Sequence, residues 1–196
     1  VVARLREAGA VILGKLQMTE GAFGAHHPDI PAPLNPWNAA YWTGSSSSGS
    51  GAATASGLCF ASLGSDTGGS IRFPSTMNGL TGLKPTWGRV SRAGVFALAD
   101  SLDHIGPMCR TAIDCAHVLG VIAGADNDDP TAVPLPVPDY AATIDGGVKG
   151  KRIGVPTNLR DLDDDARRTL DGAIAALKQA GATLVDVTLP PSFDQA

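Results

Sequence analysis

Residues 44–74 read GSSSSGSGAATASGLCFASLGSDTGGSIRFP and carry two clusters of serine and glycine. The first cluster is residues 44–51, and the second is residues 64–70. Between them, residues 49–57 have almost only small side chains, which allow a buried helix to pack its backbone closely against its neighbours. Residues 58–63 are mostly apolar and predict a strand that leads into the second cluster. A helix and a strand in this order could fold back and bring the two clusters together.

Helix and strand patterns alternate on both sides of this stretch. Residues 1–8 predict the last turns of a helix that ends at Gly9, and residues 10–13 predict a short buried strand. The same pattern of a helix followed by a short strand occurs again later, where a helix over 164–180 precedes a strand over 183–187. This alternation predicts an α/β fold. The other expected elements are a helix over 111–123, a strand that starts at 151, and irregular proline-rich loops over 24–42 and 126–138.

The composition is that of an ordinary globular protein. Hydrophobic residues make up 43% of the chain, charged residues 17%, and the net charge is -4. This balance gives no electrostatic reason to expect a nucleic acid or an anionic membrane as a partner. No window is long and apolar enough to predict a membrane-spanning helix. The acidic runs 126–129 and 161–165 are expected to be solvated charges in a loop and at a helix start.

Cysteines and histidines give no sign of a metal site. Cys59, Cys109 and Cys115 are odd in number and lack CxxC spacing, which favours free thiols in a reducing compartment. We therefore expect a cytoplasmic protein, although a signal segment ahead of Val1 would be compatible with the same features. His26 and His27 are adjacent but have no third ligand at a useful spacing, so no metal is expected.

The second cluster has the residue types of a nucleophile turn. A serine hydroxyl becomes a good nucleophile only when a base takes its proton, and the tetrahedral intermediate needs donors aimed at its oxyanion. Gly68 and Gly69 permit a turn in which successive N–H groups before Ser70 face one side. Taken alone, the segment fits a plain glycine turn with an exposed serine better.

The presence of the first cluster favours a catalytic role for the second cluster over a plain glycine turn. A flexible linker is disfavoured, because the cluster follows Trp37 and Trp42 and runs directly into apolar sequence. A phosphate-binding loop would need a lysine after the glycines, and Ala52 follows Gly51 instead. The GxSxG and SxxK motifs of other serine hydrolases are absent.

Residues 44–74 resemble the amidase signature, the glycine- and serine-rich block of amidase-signature amide hydrolases. The resemblance extends in order to residues 5–20, 82–91 and 101–108. It implies an α/β fold with a mixed central β-sheet flanked by helices.

We interpret residues 1–196 as one partial amidase-signature domain, with its signature core at 44–91 and a soft lobe boundary near 146–150. The family pattern continues beyond both ends of these residues, so the domain is expected to be incomplete at both ends.

The resemblance also implies roles for individual residues. Ser70 matches the nucleophile, and Ser46 matches a relay serine that follows a cis peptide. Ser45 stands where the family usually has glycine, a departure that bears on the local backbone. The other implied roles are an oxyanion hole at the backbone of Thr67, Gly68 and Gly69 together with Ser70 itself, a support for the relay at Ser47, and a brace for the nucleophile loop at Asp66 and Arg72.

The third member of the implied Ser-Ser-Lys triad matches no residue of this chain. In the family the catalytic lysine precedes the helix over residues 1–8, whereas Lys15 and Lys84 match other, non-catalytic positions. His104 is expected to be structural. We therefore predict negligible amidase activity for residues 1–196 alone.

The resemblance implies that the full-length parent is an amidase. It would hydrolyse a linear, small-molecule carboxamide through a serine acyl-enzyme, without metal or organic cofactor, and a homodimer is compatible with this function. One alternative is the amidase-type subunit of a glutamine-dependent tRNA amidotransferase, although residues 19–27 depart from the motif expected there. Another alternative is an inactive fragment or a binding module that retains the fold.

Overall fold

The computed structural model describes residues 1–158 and 162–190, so Asp161 of the second acidic run lies outside the described residues. The chain divides into two compact units, Val1–Ala142 and Thr143–Ala196.

The first unit contains a three-stranded antiparallel sheet. Its strands are β1 (Ala61–Asp66), β2 (Thr81–Gly82) and β3 (His104–Cys109), with β3 in the centre. The register pairs Ala61 with Cys109 and Asp66 with His104. This register places the last residue of β1 beside the first residue of β3.

The predicted strand over residues 58–63 begins three residues too early. Leu58 and Phe60 are 72% and 86% exposed and precede β1. Within β1 the inward positions are the small or polar Ser62, Gly64 and Asp66. The strand therefore packs through small side chains and hydrogen bonds, which an apolar pattern does not detect.

Four α-helices belong to the first unit: α1 (Val2–Glu7), α2 (Ser48–Ala55), α3 (Arg72–Met77) and α4 (Ala112–Ile122). The prediction of a buried small-residue helix is confirmed by α2. A Cβ added at Gly49 would lie 2.5 Å from the carbonyl oxygen of Gln17, so only glycine permits this approach. The predicted helix over 111–123 is confirmed by α4, whose Thr111 hydroxyl accepts the Asp114 N–H.

The core of the first unit lies between α4 and β3. It is formed by Val90, Ile105, Leu119, Ile122 and Ala123, with Val1 and Leu5 of the α1 region packed against it. The Arg4 guanidinium also donates to the carbonyl of Ile122 at 3.2 Å and to that of Ala123. These contacts hold α1 against the end of α4.

The strand predicted over residues 10–13 is wrong. Gly9 does end α1, with a φ of 87°, but no strand follows it. Val11 and Leu13 are 83% and 73% exposed, because this apolar run pairs with no strand among the described residues. The proline-rich loops over 24–42 and 126–138 are irregular, as predicted.

The second unit pairs β4 (Arg152–Pro156) with β5 (Thr183–Val187) in parallel, connected through α5 (Asp164–Gln179). The Asp163 carboxylate caps α5 by accepting the Ala166 N–H at 2.8 Å. The bounds of α5 and β5 were predicted within a residue, and the start of β4 was predicted one residue early. The chain therefore has the predicted mixed α/β fold, with its antiparallel and parallel pairs in two separate sheets.

Candidate active site

The two serine and glycine clusters contact each other. The first cluster enters α2, and the second leaves β1 and enters α3. The Ser47 N–H donates to the carbonyl oxygen of Ser70 at 3.3 Å. The predicted return of the chain is therefore present, and the junction of α2, β1 and α3 positions both candidate catalytic serines.

Ser46 lies at the start of this junction with its side chain in the interior. It follows a cis peptide bond, as the family resemblance implied, and is only 2% exposed. Its carbonyl oxygen accepts the Thr19 N–H at 3.1 Å. Its Oγ is buried and has no hydrogen-bond partner among the described residues. A buried hydroxyl without a partner is uncommon and points to a role beyond packing.

Ser47 fixes the relay segment to β1. Its Oγ donates to the Ser65 carbonyl at 3.3 Å and accepts the Ser65 N–H at 3.2 Å. Gly64 makes room for this hydroxyl, because a Cβ at that position would lie 2.8 Å from Ser47 Oγ. Ser47 thus connects the segment after Ser46 to β1 through the backbone of Ser65.

Asp66 is the anchor of the turn that leads to Ser70. Its carboxylate is fully buried and accepts the Gly69 N–H at 2.8 Å and the Ile71 N–H at 3.2 Å. The Arg72 backbone N–H donates to the same carboxylate at 3.3 Å, and its guanidinium donates through Nε at 3.0 Å and Nη2 at 2.9 Å. One carboxylate therefore holds residues on both sides of Ser70.

The electrostatics of this pair favour its charged form. Burial raises the pKa of Asp66, but hydrogen bonds from the Arg72 side chain and from the Ile71 and Arg72 N–H groups outweigh it and hold the pKa below its usual range. The hydrogen bonds that Arg72 donates to Asp66 in turn raise the pKa of Arg72. Asp66 and Arg72 thus form an ion pair at neutral pH.

The turn itself exposes backbone donors. Ser70 is half-buried, and the N–H groups of Thr67, Gly68 and Ser70 have no hydrogen-bond acceptor among residues 1–158 and 162–190. The Gly69 N–H differs, because it points to the buried Asp66 carboxylate. Gly69 instead provides a φ of 137°, and its missing side chain leaves room for the Phe73 ring, which lies 2.3 Å from an ideal Cβ position.

Sequence reasoning missed a second carboxylate, Asp103. Its Oδ1 accepts the Thr67 hydroxyl at 2.5 Å, and its Oδ2 accepts the Leu98 and Ala99 N–H groups at 2.8 and 3.0 Å. Burial raises the pKa of Asp103, but these hydrogen bonds outweigh it and lower the pKa overall. The only sequence signal was its place in residues 101–108, which resemble the family segment without marking this contact.

No lysine ammonium is hydrogen-bonded to Ser46 or Ser70 within the described residues. The Lys84 ammonium lies 3.0 Å from His104 Nε2 and 3.1 Å from the Pro85 carbonyl, and Lys15 is exposed. Neither lysine therefore contacts the candidate catalytic serines in this geometry.

The histidines of the proline-rich loop do not form a metal site. His26 contacts Ser48 Oγ at 3.0 Å, whereas His27 is exposed and faces Asp29. The described residues contain no group of three His, Cys, Asp or Glu side chains that could hold a metal ion.

None of the helices among the described residues combines the length and the apolar character needed to cross a bilayer.

The family model named Amidase matches residues 1–196 of this chain. The chain belongs to the amidase-signature family. AmiD of Mycobacterium tuberculosis (strain ATCC 25618 / H37Rv), a protein named as an amidase, is 56% identical over 182 residues, which are 92% of this chain and 38% of AmiD. A glutamyl-tRNA(Gln) amidotransferase subunit of Geobacter sulfurreducens is 53% identical over 194 residues, which are 97% of this chain and 40% of that protein.

Solved structures of the amidase-signature family have the same fold. The crystal structure of a glutamyl-tRNA(Gln) amidotransferase subunit from Thermotoga maritima matches with a TM-score of 0.91 and 39% identity, over 96% of this chain and 42% of that one. Native peptide amidase from Stenotrophomonas maltophilia matches with a TM-score of 0.86 and 38% identity, over 98% of this chain and 42% of that one. The chain thus spans about two fifths of the length of the relatives it matches.

Proposed function

We propose that this chain carries the nucleophile, the relay serine and the oxyanion donors of an amidase that hydrolyses a small, linear carboxamide. The observation that carries the proposal is the junction of the two clusters. There the Ser47 N–H donates to the Ser70 carbonyl at 3.3 Å, directly after Ser46, whose buried Oγ has no partner among the described residues. The relatives named as amidases and as a peptide amidase support the same reaction class.

The proposed cycle begins with proton transfer from Ser70. The Ser70 Oγ proton passes to Ser46 Oγ as the Ser46 proton passes to a base, which the family resemblance implies is a neutral lysine. The freed Ser70 oxygen attacks the carbonyl carbon and forms a tetrahedral oxyanion. When the C–N bond breaks, the proton returns to the nitrogen, and ammonia or an amine leaves. Water then attacks the acyl ester and releases the acid.

The oxyanion in this cycle is proposed to bind backbone donors. The N–H groups of Thr67, Gly68 and Ser70 are the available ones, because they donate to nothing else among the described residues. Donors that are fixed before the reaction stabilise developing charge without reorganisation. The Gly69 N–H, although predicted as a donor, is used by Asp66 and serves to hold the turn.

The experiment is serine-directed labelling of the protein as encoded and of residues 1–196 alone. A fluorophosphonate is applied to both, and the labelled peptide is located by mass spectrometry, with Ser70→Ala as the control. We expect label on Ser70 in the longer protein and negligible label in residues 1–196, since no base contacts Ser46 there. Label elsewhere, or none on Ser70 of the longer protein, would refute the amidase proposal. Label on Ser70 of residues 1–196 would refute the proposed need for a base outside them.

A second candidate is the amidase-type subunit of a tRNA amidotransferase, favoured by the 53% identity to the amidotransferase subunit of Geobacter sulfurreducens. The two functions differ in what the released ammonia does. An amidase releases it to solvent, whereas an amidotransferase passes it to an aminoacyl-tRNA. Hydrolysis of simple amides without partner subunits supports the amidase, while dependence on co-purifying subunits and glutamyl-tRNA supports the amidotransferase.

Free thiols are consistent with a reducing, cytoplasmic location for the protein. Cys59, Cys109 and Cys115 are all unpaired by disulfides in the structure, and the latter two are buried. We therefore keep the cytoplasm as the proposed compartment.

A further inference from the structure

Lys84 and His104 lie beside the nucleophile turn but have no part in the cycle above. The Lys84 ammonium is 3.0 Å from His104 Nε2. The other ring nitrogen of His104, Nδ1, is 3.2 Å from the carbonyl oxygen of Asp66 and 2.5 Å from that of Leu102. His104 is the first residue of β3, and the sheet register places it directly opposite Asp66.

These contacts determine where the His104 proton lies. A lysine ammonium has only donors, so Nε2 must accept from it and carries no hydrogen. The two neighbours of Nδ1 are carbonyl oxygens, which only accept, so Nδ1 must carry the hydrogen. Lys84 and the two carbonyls thus favour the same tautomer of His104, in which Nδ1–H is shared between the carbonyls of Leu102 and Asp66.

The Asp66 carbonyl is rigidly connected to an oxyanion donor. It shares a planar peptide unit with the Thr67 N–H, and this unit is trans, because the one cis bond found among the described residues is Ser45–Ser46. In a trans unit the C=O and the N–H point in opposite directions. A hydrogen bond to the Asp66 oxygen therefore sets the direction of the Thr67 N–H.

The neighbouring residue contacts the same unit from its other end. The Asp103 carboxylate accepts the Thr67 hydroxyl at 2.5 Å, so residues 103 and 104 contact the side chain of Thr67 and the carbonyl before it. Asp103, which precedes β3, and His104, its first residue, thus restrict rotation of one peptide unit. Neither contact involves Ser46, Ser70 or Arg72.

We propose that Lys84 and His104 are positioning residues that orient the Thr67 N–H toward the oxyanion. This inference rests on the proposed function of the Ser70 turn. In this proposal Lys84 affects the oxyanion donor through His104, and His104 affects it through the Asp66–Thr67 peptide. Loss of either one should lower transition-state stabilisation without altering substrate binding.

The kinetic test uses the protein as encoded, with a simple amide as substrate. His104→Leu and Lys84→Met should each lower kcat about tenfold with KM unchanged, which is less than the hundredfold or more expected when an oxyanion donor is removed outright. His104→Asn places an amide N–H near the Nδ1 position and should restore most of kcat. Lys15→Met is the matched control, because Lys15 is exposed, and its kcat should stay at the wild-type value.

A spectroscopic readout separates this inference from the proposed function. In protein with ¹⁵N-labelled histidine, NMR should show His104 with its hydrogen on Nδ1, and Lys84→Met should mix the two tautomers. An Nε2–H tautomer in the wild type would overturn the inference, as would unchanged kcat or a change confined to KM in a folded variant. If His104→Leu does not fold, the kcat of Lys84→Met and the tautomer of His104 seen by NMR test the inference instead. Wild-type protein without Ser70-dependent turnover would instead contradict the proposed function, while the tautomer measurement would still test the geometry.

Discussion

Replacement of Asp66 by asparagine should damage both the stability of the chain and the nucleophile turn. The carboxylate is fully buried and accepts five hydrogen bonds: from the Gly69, Ile71 and Arg72 N–H groups and from two nitrogens of the Arg72 guanidinium. An asparagine has one oxygen in place of two, and its NH₂ group would face donors. Whichever way the amide points, at least two of the five bonds are lost.

The expected loss follows from the geometry. A hydrogen bond to a charged group contributes about 1.5–3 kcal/mol, so two lost bonds amount to about 3–6 kcal/mol. The Arg72 side chain is 53% exposed, so water screens its ion pair and can solvate it once the carboxylate is gone. We therefore expect the lower end of the range, a loss of about 3 kcal/mol in the free energy of unfolding.

The assay is urea denaturation of Asp66→Asn and of Asp100→Asn, with kcat measured on both in the protein as encoded. Asp100 is a matched control because it is exposed and its side chain makes no hydrogen bond among the described residues. The control should differ from wild type by less than about 0.5 kcal/mol. An Asp66→Asn variant that loses under about 1 kcal/mol and keeps its kcat would refute the role of Asp66 as the anchor of the turn.

Three further perturbations test neighbouring parts of the structure. Gly69→Ala should lower kcat strongly, because its Cβ would lie 2.3 Å from the Phe73 ring at a φ of 137°. The control Gly68→Ala meets nothing within 4 Å and should fold normally, and kcat and thermal melting temperatures are measured for both variants. Ser47→Ala should cost about 1–3 kcal/mol in urea denaturation, because the backbone of Ser65 loses both of its bonds to the hydroxyl, while the exposed Ser56→Ala should change little. The third perturbation is a change of pH. The lowered pKa of Asp66 adds stability that is fully present above the unfolded pKa of 3.8 and is lost as pH falls through the lower folded pKa, so the free energy of unfolding should decline below about pH 4. The decline should be less steep in Asp66→Asn, and equal slopes of wild type and variant in acid titrations would contradict this.

Local patterns predicted the elements that carry their own signals. The helix α5 has an acidic start, a spaced apolar face and Gly181 after its end, and its bounds were predicted within a residue. The start of α4 at Thr111 was marked by a side chain that caps it. Each of these signals comes from residues within one or two turns of each other, so the sequence displays them directly.

Elements stabilised from a distance were not predicted. β3 contains Gly106 and Pro107, which a strand pattern disfavours, and it is a strand because β1 and β2 pair with it on both sides. Gly106 is required there, since a Cβ would lie 2.1 Å from the Leu83 carbonyl. In residues 10–13 the reverse holds: the apolar pattern favours a strand, but no described segment pairs with it.

The candidate site divides in the same way. Asp66, Ser70 and Arg72 are close in sequence, and the family motif marks all three. The contact of Thr67 with Asp103 joins residues 36 positions apart and depends on the register of β1 against β3. The tautomer of His104 depends on a third segment, through Lys84. Neither could be recognised before the sheet was known.

The Asp66 carboxylate and the backbone N–H groups have different roles in the turn, which explains why two glycines precede Ser70. Asp66 accepts the Gly69 N–H, and the backbone at Gly69 has a φ of 137°, a conformation that favours glycine. Gly68 has open space around it, with nothing within 4 Å of an ideal Cβ position. A turn with all its donors directed outward would lack the anchor that fixes them. The bond from the Gly69 N–H to Asp66 is therefore such an anchor for a turn in which the N–H groups of Thr67, Gly68 and Ser70 have no acceptor among the described residues.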